Sequence, residues 1–221
     1  QAAAQADIKA LLQSGPYSDA PFFSLSNITG EGISALRERL LTDARDIALR
    51  ANSDHFRLSV DRAFSVSGAG VVITGTALAG RVAVGDSLLL TDINGSHQRV
   101  RVRGLHAQNR AAEQAQAGQR VALNLAGERL KAEHIHRGNW LLHPALLNPS
   151  RRLDIHLTLL ASASRPLQHW TPVHVHLGAQ RLTGRVALLQ HSSLSAGTSG
   201  LAQLVLDGNT HAVYGDRVVL R

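Results

Sequence analysis

SVSGAGVVITGT, residues 65–76, is the stretch on which the reading of the chain turns. A phosphate loop needs Gly-x-x-x-x-Gly-Lys-Ser/Thr running into a helix, and a dinucleotide loop needs Gly-x-Gly-x-x-Gly doing the same. Neither pattern is met. The glycines are followed by Val71, Val72, Ile73 and Thr74, β-branched residues that lose rotamer freedom in a helix and pack well on a pleated surface. The spacing predicts strand, tight turn, strand, with Gly68 and Gly70 supplying positive φ.

Downstream of this hairpin the texture stays all-β. Apolar and polar residues alternate in Phe56–Val60, Arg99–Arg103 and Arg152–Leu157, and turn glycines recur at Gly80, Gly85, Gly95, Gly118, Gly127, Gly138, Gly178, Gly184 and Gly208. Short strands so punctuated argue for small barrels. The segment 143–150, with Pro144 and Pro149, reads as the linker between them, because proline stiffens a chain and removes ladder donors. Residues 1–52 read differently. A helical pattern (Ile8, Leu11, Leu12) ends near Ser14–Pro16, an apolar run Pro21–Ser26 reads as a strand, and Ile33, Leu36, Leu40, Leu41 and Ile47 recur at helical spacing. Two helices and one strand close no core, so this segment is expected to be the tail of a larger α/β domain. The predicted organisation is mainly β: an α/β remnant over 1–52, a barrel over 53–145, and a second, incomplete barrel over 146–221, whose last strand is expected to leave an open edge.

Composition narrows the function classes. No cysteine is present, which removes disulfide frameworks and thiolate zinc sites; no methionine is present, even at position 1, which reads as a piece of a longer chain. No apolar run approaches membrane-spanning length and the first residues lack a signal-peptide pattern, so a cytoplasmic setting is expected. The formal net charge is +7, and the only lysines are Lys9 and Lys131, so the positive charge is almost all arginine. Residues 1–50 hold 5 basic and 6 acidic side chains, so the excess lies wholly in the barrels. Arginine forks suit phosphate recognition, with RNA the commonest source; a GC-rich genome that favours arginine codons is the plain alternative.

Three constellations stand out. Arg99, Arg101 and Arg103 share one strand face, a basic stripe about 13 Å long that suits either RNA phosphates or plain solvent. His156 and the His174-x-His176 pair invite a metal, but tetrahedral sites want three or four ligands and no third of fixed spacing exists, so no metal is expected. Asp61-Arg62, at the approach to the hairpin, is either a structural ion pair or a receptor for an amino group together with an anion.

Residues 58–76 (LSVDRAFSVSGAGVVITGT), with Val84-Gly85-Asp86, resemble the start of the second domain in translational GTPases of the elongation factor Tu class. Arg103–Asn109 and Ala117–Gly127 narrow the resemblance to bacterial selenocysteine-specific elongation factors, the SelB type, and Thr183–Val186 is similar to a third-domain hairpin of the same class. The resemblance implies that residues 1–52 end a GTP-binding domain, with Ser26 and Asn27 at its last guanine-recognition loop, where the family usually has Ser-Ala. It implies GTP with magnesium as the cofactor of the parent protein. The phosphate loop, switches and Asn-Lys-x-Asp motif are not in these 221 residues, so no GTPase activity is expected of them alone. The implied partners are selenocysteinyl-tRNA, the ribosome at UGA codons and, through other parts, a selenoprotein mRNA hairpin; no membrane is implied. A selenol is more acidic than a thiol, so the esterified selenocysteine is largely anionic where serine is neutral, and a basic pocket discriminates between them. On that resemblance Asp61 takes the α-amino group, Arg62, His106 and Arg120 face the selenolate, and Arg181 and Arg185 meet the tRNA acceptor arm. The other reading open at this point is a general RNA- or ribosome-binding barrel pair of another translational GTPase, with no amino-acid pocket.

Overall fold

The structure, a computed structural model, describes residues 2–13, 17–46 and 55–221. Expectations that fall on Ser14–Pro16, on Ile47 and on the boundary at residue 52 lie outside them. The chain divides into two compact units: residues 1–49 with 158–167 and 194–199, and residues 50–157 with 168–193 and 200–221.

The first unit holds α1 (Ala2–Leu12) and α2 (Ile33–Asp46). Gln5 Nε2 donates to Ser24 Oγ at 3.2 Å, and Arg39 pairs with Asp43 one helical turn on at 2.7 Å. The strand expected at Pro21–Ser26 is not formed. An extended run becomes a strand only through a ladder, and this one instead folds into the turn that follows, with Gly30 N–H on Ser26 O at 2.8 Å and Ser26 N–H on Glu31 O at 3.1 Å.

The second unit is all β. Its strands, with the short ones that border them, run β1 (Arg57–Val66), β2 (Gly70–Ala79), β3 (Arg81–Ala83), β4 (Ser87–Thr91), β5 (His97–Ala107), β6 (Arg110–Ala112), β7 (Gln114–Gln116), β8 (Arg120–Ala126), β9 (Trp140–Leu142), β10 (Ser150–Thr158), β11 (Leu167–Gln168), β12 (Thr171–Leu177), β13 (Gln180–Leu188), β14 (Ser193–Leu194), β15 (Ser199–Thr210) and β16 (Val219–Leu220). The hairpin predicted from residues 65–76 is β1–β2, with Gly68 at φ 76° and Gly70 at φ 94°. Strands β4-β9-β1-β2-β8-β5 follow one another and β5 pairs back with β4, which closes a six-stranded barrel. Its interior is filled by the alternating apolar residues of every strand, among them Leu58, Val60, Ile73, Val100, Val102, Leu123 and Leu141. The second sheet, β10-β15-β13-β12-β16, stays open as a half-barrel. The last strand, expected as an open edge, is paired on one side with β12.

Polar groups join the two barrels. Arg57, 2% exposed, donates to Asp216 at 2.6 Å and lies 4.8 Å over the Trp140 ring. Trp140 Nε1 donates to Gln180 Oε1 at 3.1 Å, and Ala179 N–H donates to Ser59 Oγ at 3.0 Å. Segment 143–150 is pinned rather than free: His143 caps a 3-10 turn over Pro144–Leu146, Leu146 packs against the Trp140–Leu142–Leu177 cluster, and Asn148 N–H donates to His211 Nδ1.

Candidate aminoacyl and RNA site

The site begins with two irregularities in the barrel ladders. In β1, Val60 pairs with Gly75 but Arg62 pairs with Thr74, so Asp61 is an extra residue, a β-bulge. A regular strand points neighbouring side chains to opposite faces; the inserted residue lets Asp61 and Arg62 both face outward while Val60 and Ala63 face the core. In β5 the register slips between Val102 and Gly104, which makes Arg103 the extra residue. The slip changes the parity of the strand, so that His106 shares the outer face with Arg99, Arg101 and Arg103 while Leu105 and Ala107 turn inward.

Asp61 is the electrostatic centre of this face. Its carboxylate accepts from Arg120 Nη1 at 2.5 Å and from Thr74 Oγ1 at 2.5 Å. Burial acting alone raises the Asp61 pKa, but the hydrogen bonds of Arg120 and Thr74 and the charges of Arg120 and Arg62 outweigh it and hold it below the ordinary 3.8. The same contact raises the Arg120 guanidinium. Arg120 is 54% exposed against 20% for Asp61, so the arginine is the mobile partner and the aspartate the fixed one.

Beside this pair lies a cleft of about 670 Å³ on the outer face of β2, β8 and β5. Val72, Asn124 and Gly104 form one row of its floor and Ala122 with His106 the next; Arg120, outside the lining, lies on β8 two positions before Ala122. Val66 and Ala69 of the hairpin wall one side, and Arg103 and Glu113 another. Asn124 Nδ2 donates to Ala69 O at 2.9 Å, whereas its Oδ1 is buried without a protein partner. A side chain at Gly104 would meet nothing within 4 Å, so glycine there keeps the floor clear.

Of the four residues expected to face a selenolate, the structure brings Asp61 and Arg120 into contact and sets Arg62 close enough to act on Asp61 by charge. His106 lies three strands from Arg62 along the ladder Arg62–Thr74–Ala122–His106, about 14 Å at roughly 4.8 Å per strand, but only one strand from Arg120, and it lines the cleft. Thr74 and Asn124 were missed by sequence reasoning, since a polar residue at an outward strand position carries no signal of its own. Arg181 and Arg185 share the outer face of β13, with His176 opposite Arg181, and Arg185 donates to Trp170 O at 3.2 Å. Next to Arg185 the Asp207 carboxylate accepts from Thr183 and tempers the positive charge there. Ser26 uses its hydroxyl to accept from Thr29 N–H at 3.2 Å, and Asn27 is exposed in the turn. Among the described residues no group of three His, Asp or Glu is placed to hold a metal, and no helix is long and apolar enough to cross a membrane.

Comparison with known proteins agrees with this architecture. Residues 70–142 match the family described as elongation factor Tu domain 2, and residues 154–221 match the selenocysteine-specific elongation factor β-barrel domain. The selenocysteine-specific elongation factor of Escherichia coli (strain K12) is 44% identical over 215 residues, 97% of this chain and 32% of that protein. The Haemophilus influenzae factor of the same name is 39% identical over 92% of this chain and 31% of its own length. The apo form of translation elongation factor SelB from Methanococcus maripaludis superposes with a TM-score of 0.81 at 24% identity, over 99% of this chain and 50% of that one, a likeness of fold. The chain spans about a third of the length of the curated relatives it matches. Over the part it spans, with an elongation factor Tu-like second domain followed by the family's own β-barrel, the chain belongs to the selenocysteine-specific elongation factors.

Proposed function

We propose that the outer face of the first barrel binds the aminoacylated 3′ end of a tRNA and favours a selenocysteinyl over a seryl ester. The observation that carries this reading is the Asp61–Arg120 pair on the outer face of the barrel, two strand positions from the cleft residue Ala122, an anion and a cation held together where a ligand bearing the opposite two charges would separate them. Asp61, anchored by Thr74 and ionised well into acid, accepts the ester's α-ammonium. Arg120, half-exposed and released from Asp61, re-pairs with the selenolate, and the nearby Arg62 adds charge. Serine offers no anion, so its ester would leave Arg120 without a partner. The cleft has the size and character for the terminal nucleoside: apolar walls for a base and His106 for its polar edge. His106 on this reading serves the nucleoside and not the selenium.

Arg181 and Arg185 are proposed to meet tRNA phosphates on the second barrel. GTP-dependent delivery of the tRNA to the ribosome at UGA codons, and reading of the mRNA hairpin, are proposed for the whole protein of which this chain covers a part. The residues present do not make a nucleotide site: the sequence has no phosphate loop and Ser26 is engaged in its own turn.

The test is competition between selenocysteinyl- and seryl-tRNA for the full-length protein. Arg120→Gln should lose about ten- to a hundredfold of the preference, the worth of one charge-assisted hydrogen bond. An unchanged preference would sink the assignment. Gly104→Leu fills the cleft from a position where the structure has room, so it should block the RNA end and leave folding intact.

A further inference from the structure

The outer face of β5 carries a constellation that touches the cleft only at its last member. Arg99, Arg101 and Arg103 alternate with the buried Val100 and Val102, and all three are exposed. Among the described residues none of them joins an ion pair or a side-chain hydrogen bond, although other arginines of the barrels, Arg57, Arg120, Arg152 and Arg185, do. Their ladder neighbours are neutral: Ser87 faces Arg101, Leu89 faces Arg99 and Ala126 flanks Arg101. Three like charges on one strand repel each other, and the carboxylate nearest the row, Glu113 in the cleft wall with Arg103, forms no ion pair with any of them.

The line also has a direction. It starts beside His97 at the β4–β5 turn and ends at the cleft, where Arg103 forms part of the wall. The bulge at Arg103 is what makes the two continuous. In an unbroken β5 the arginines and His106 would lie on opposite faces; the extra residue puts them on one. Alternate side chains repeat about every 6.6 Å along a strand, a scale on which successive phosphates of an extended RNA strand can be met one by one, and the planar guanidinium is the group that grips phosphate in two places.

We propose that β5 is a phosphate track: the RNA strand whose terminal nucleoside occupies the cleft lays its preceding phosphates over Arg103, Arg101 and Arg99. This rests on the cleft reading given above and extends it from the end of the RNA to the path of its backbone. The partner is the single-stranded end of that same RNA, not a duplex.

The full chain is titrated with two uncharged RNA hairpins, one with a short 3′ overhang and one blunt, between about 50 and 200 mM salt. Replacing Arg99, Arg101 and Arg103 together by Gln should reduce the slope of log affinity against log salt by about 2 for the overhang, at about 0.7 per single-strand phosphate. The blunt hairpin's slope should not change. Arg101→Gln alone, on an exposed side chain, should remove about one third of that effect. An unchanged slope with the overhang overturns the track, and an equal loss on the blunt hairpin overturns it in favour of duplex contact. Gly104→Leu separates the two readings. If it abolishes the preference for the overhang while the triple variant keeps its slope, the track fails and the cleft stands; if it has no effect, both fail.

Discussion

Asp61 and His211 are side chains whose ionisation the fold shifts, and they respond to pH in different windows. Asp61 is held below its ordinary pKa, so the stability it adds is fully present above about 3.8 and is lost as pH falls through its lowered value. Because Arg120 is half in solvent, the pair contributes less than about 1 kcal/mol. Urea titrations of wild type and Asp61→Asn should therefore differ slightly at neutral pH and converge in strong acid. His211 is 2% exposed and its pKa is lowered to about 4, first by burial and then by the charges of Arg57 and His97. Its Nδ1 accepts from Asn148 N–H, which leaves the proton on the buried, unpartnered Nε2 of a neutral ring. The unfolded chain takes up a proton at pH 6.5 that the folded one refuses until about 4, so stability falls across that interval, by up to about 3 kcal/mol. His211→Asn should flatten the profile between pH 6.5 and 4 in urea titrations; a profile as steep as the wild type's would show that other groups set the slope. Asp61, Arg62 and Arg120 were legible from the sequence because motif and charge coincide there. Thr74, Asn124 and the place of His106 on the cleft were not, because they depend on which strands neighbour one another.

At the level of the element, the β1–β2 hairpin and the alternating strands could be read directly, since period-two patterning is what a barrel wall requires. The bulges at Asp61 and Arg103 could not. Each adds one residue to a strand, and a pattern match that tolerates no slip assigns the following residues to the wrong face. Nor could the covering of β1 be read: Arg57 and Ser59 occupy outward positions yet are buried, because the second barrel lies over them. Opposite the Asp61 bulge, Gly75 has no room for a side chain; a Cβ would stand 2.4 Å from Ser59 O and 2.7 Å from Leu58 Cδ2. Gly75→Ala should destabilise by about 1–3 kcal/mol and shift the β1 register that presents Asp61. The denaturation midpoint measures the first effect, and loss of the selenocysteinyl preference the second.

On the scale of the whole molecule, the joint between the two barrels holds a buried cation beside its apolar cluster. Arg57 has one carboxylate partner, Asp216, and one aromatic face, Trp140, while its Nε has no partner. Asp216→Ala strands that charge and should cost about 3–5 kcal/mol; replacing Arg57 by Leu at the same time should recover much of the loss, because the buried charge goes with its partner. Thermal or urea unfolding of the single and double variants distinguishes a clasp from an incidental contact, for which neither change would be felt. The sequence announced two barrels and a connecting segment but gave no sign of this joint, whose residues lie up to 159 positions apart.

If the outer face binds the ester as proposed, the pairing of Asp61 with Arg120 has a consequence for how that discrimination responds to its surroundings. Asp61 carries its own neutralising partner, so a visitor with only an ammonium evicts Arg120 and gains little, while one that brings both signs leaves every charge matched. Capture is then a swap of companions with no net creation of field, and background electrolyte should barely alter the ratio between the two esters even as it weakens the first landing of the RNA.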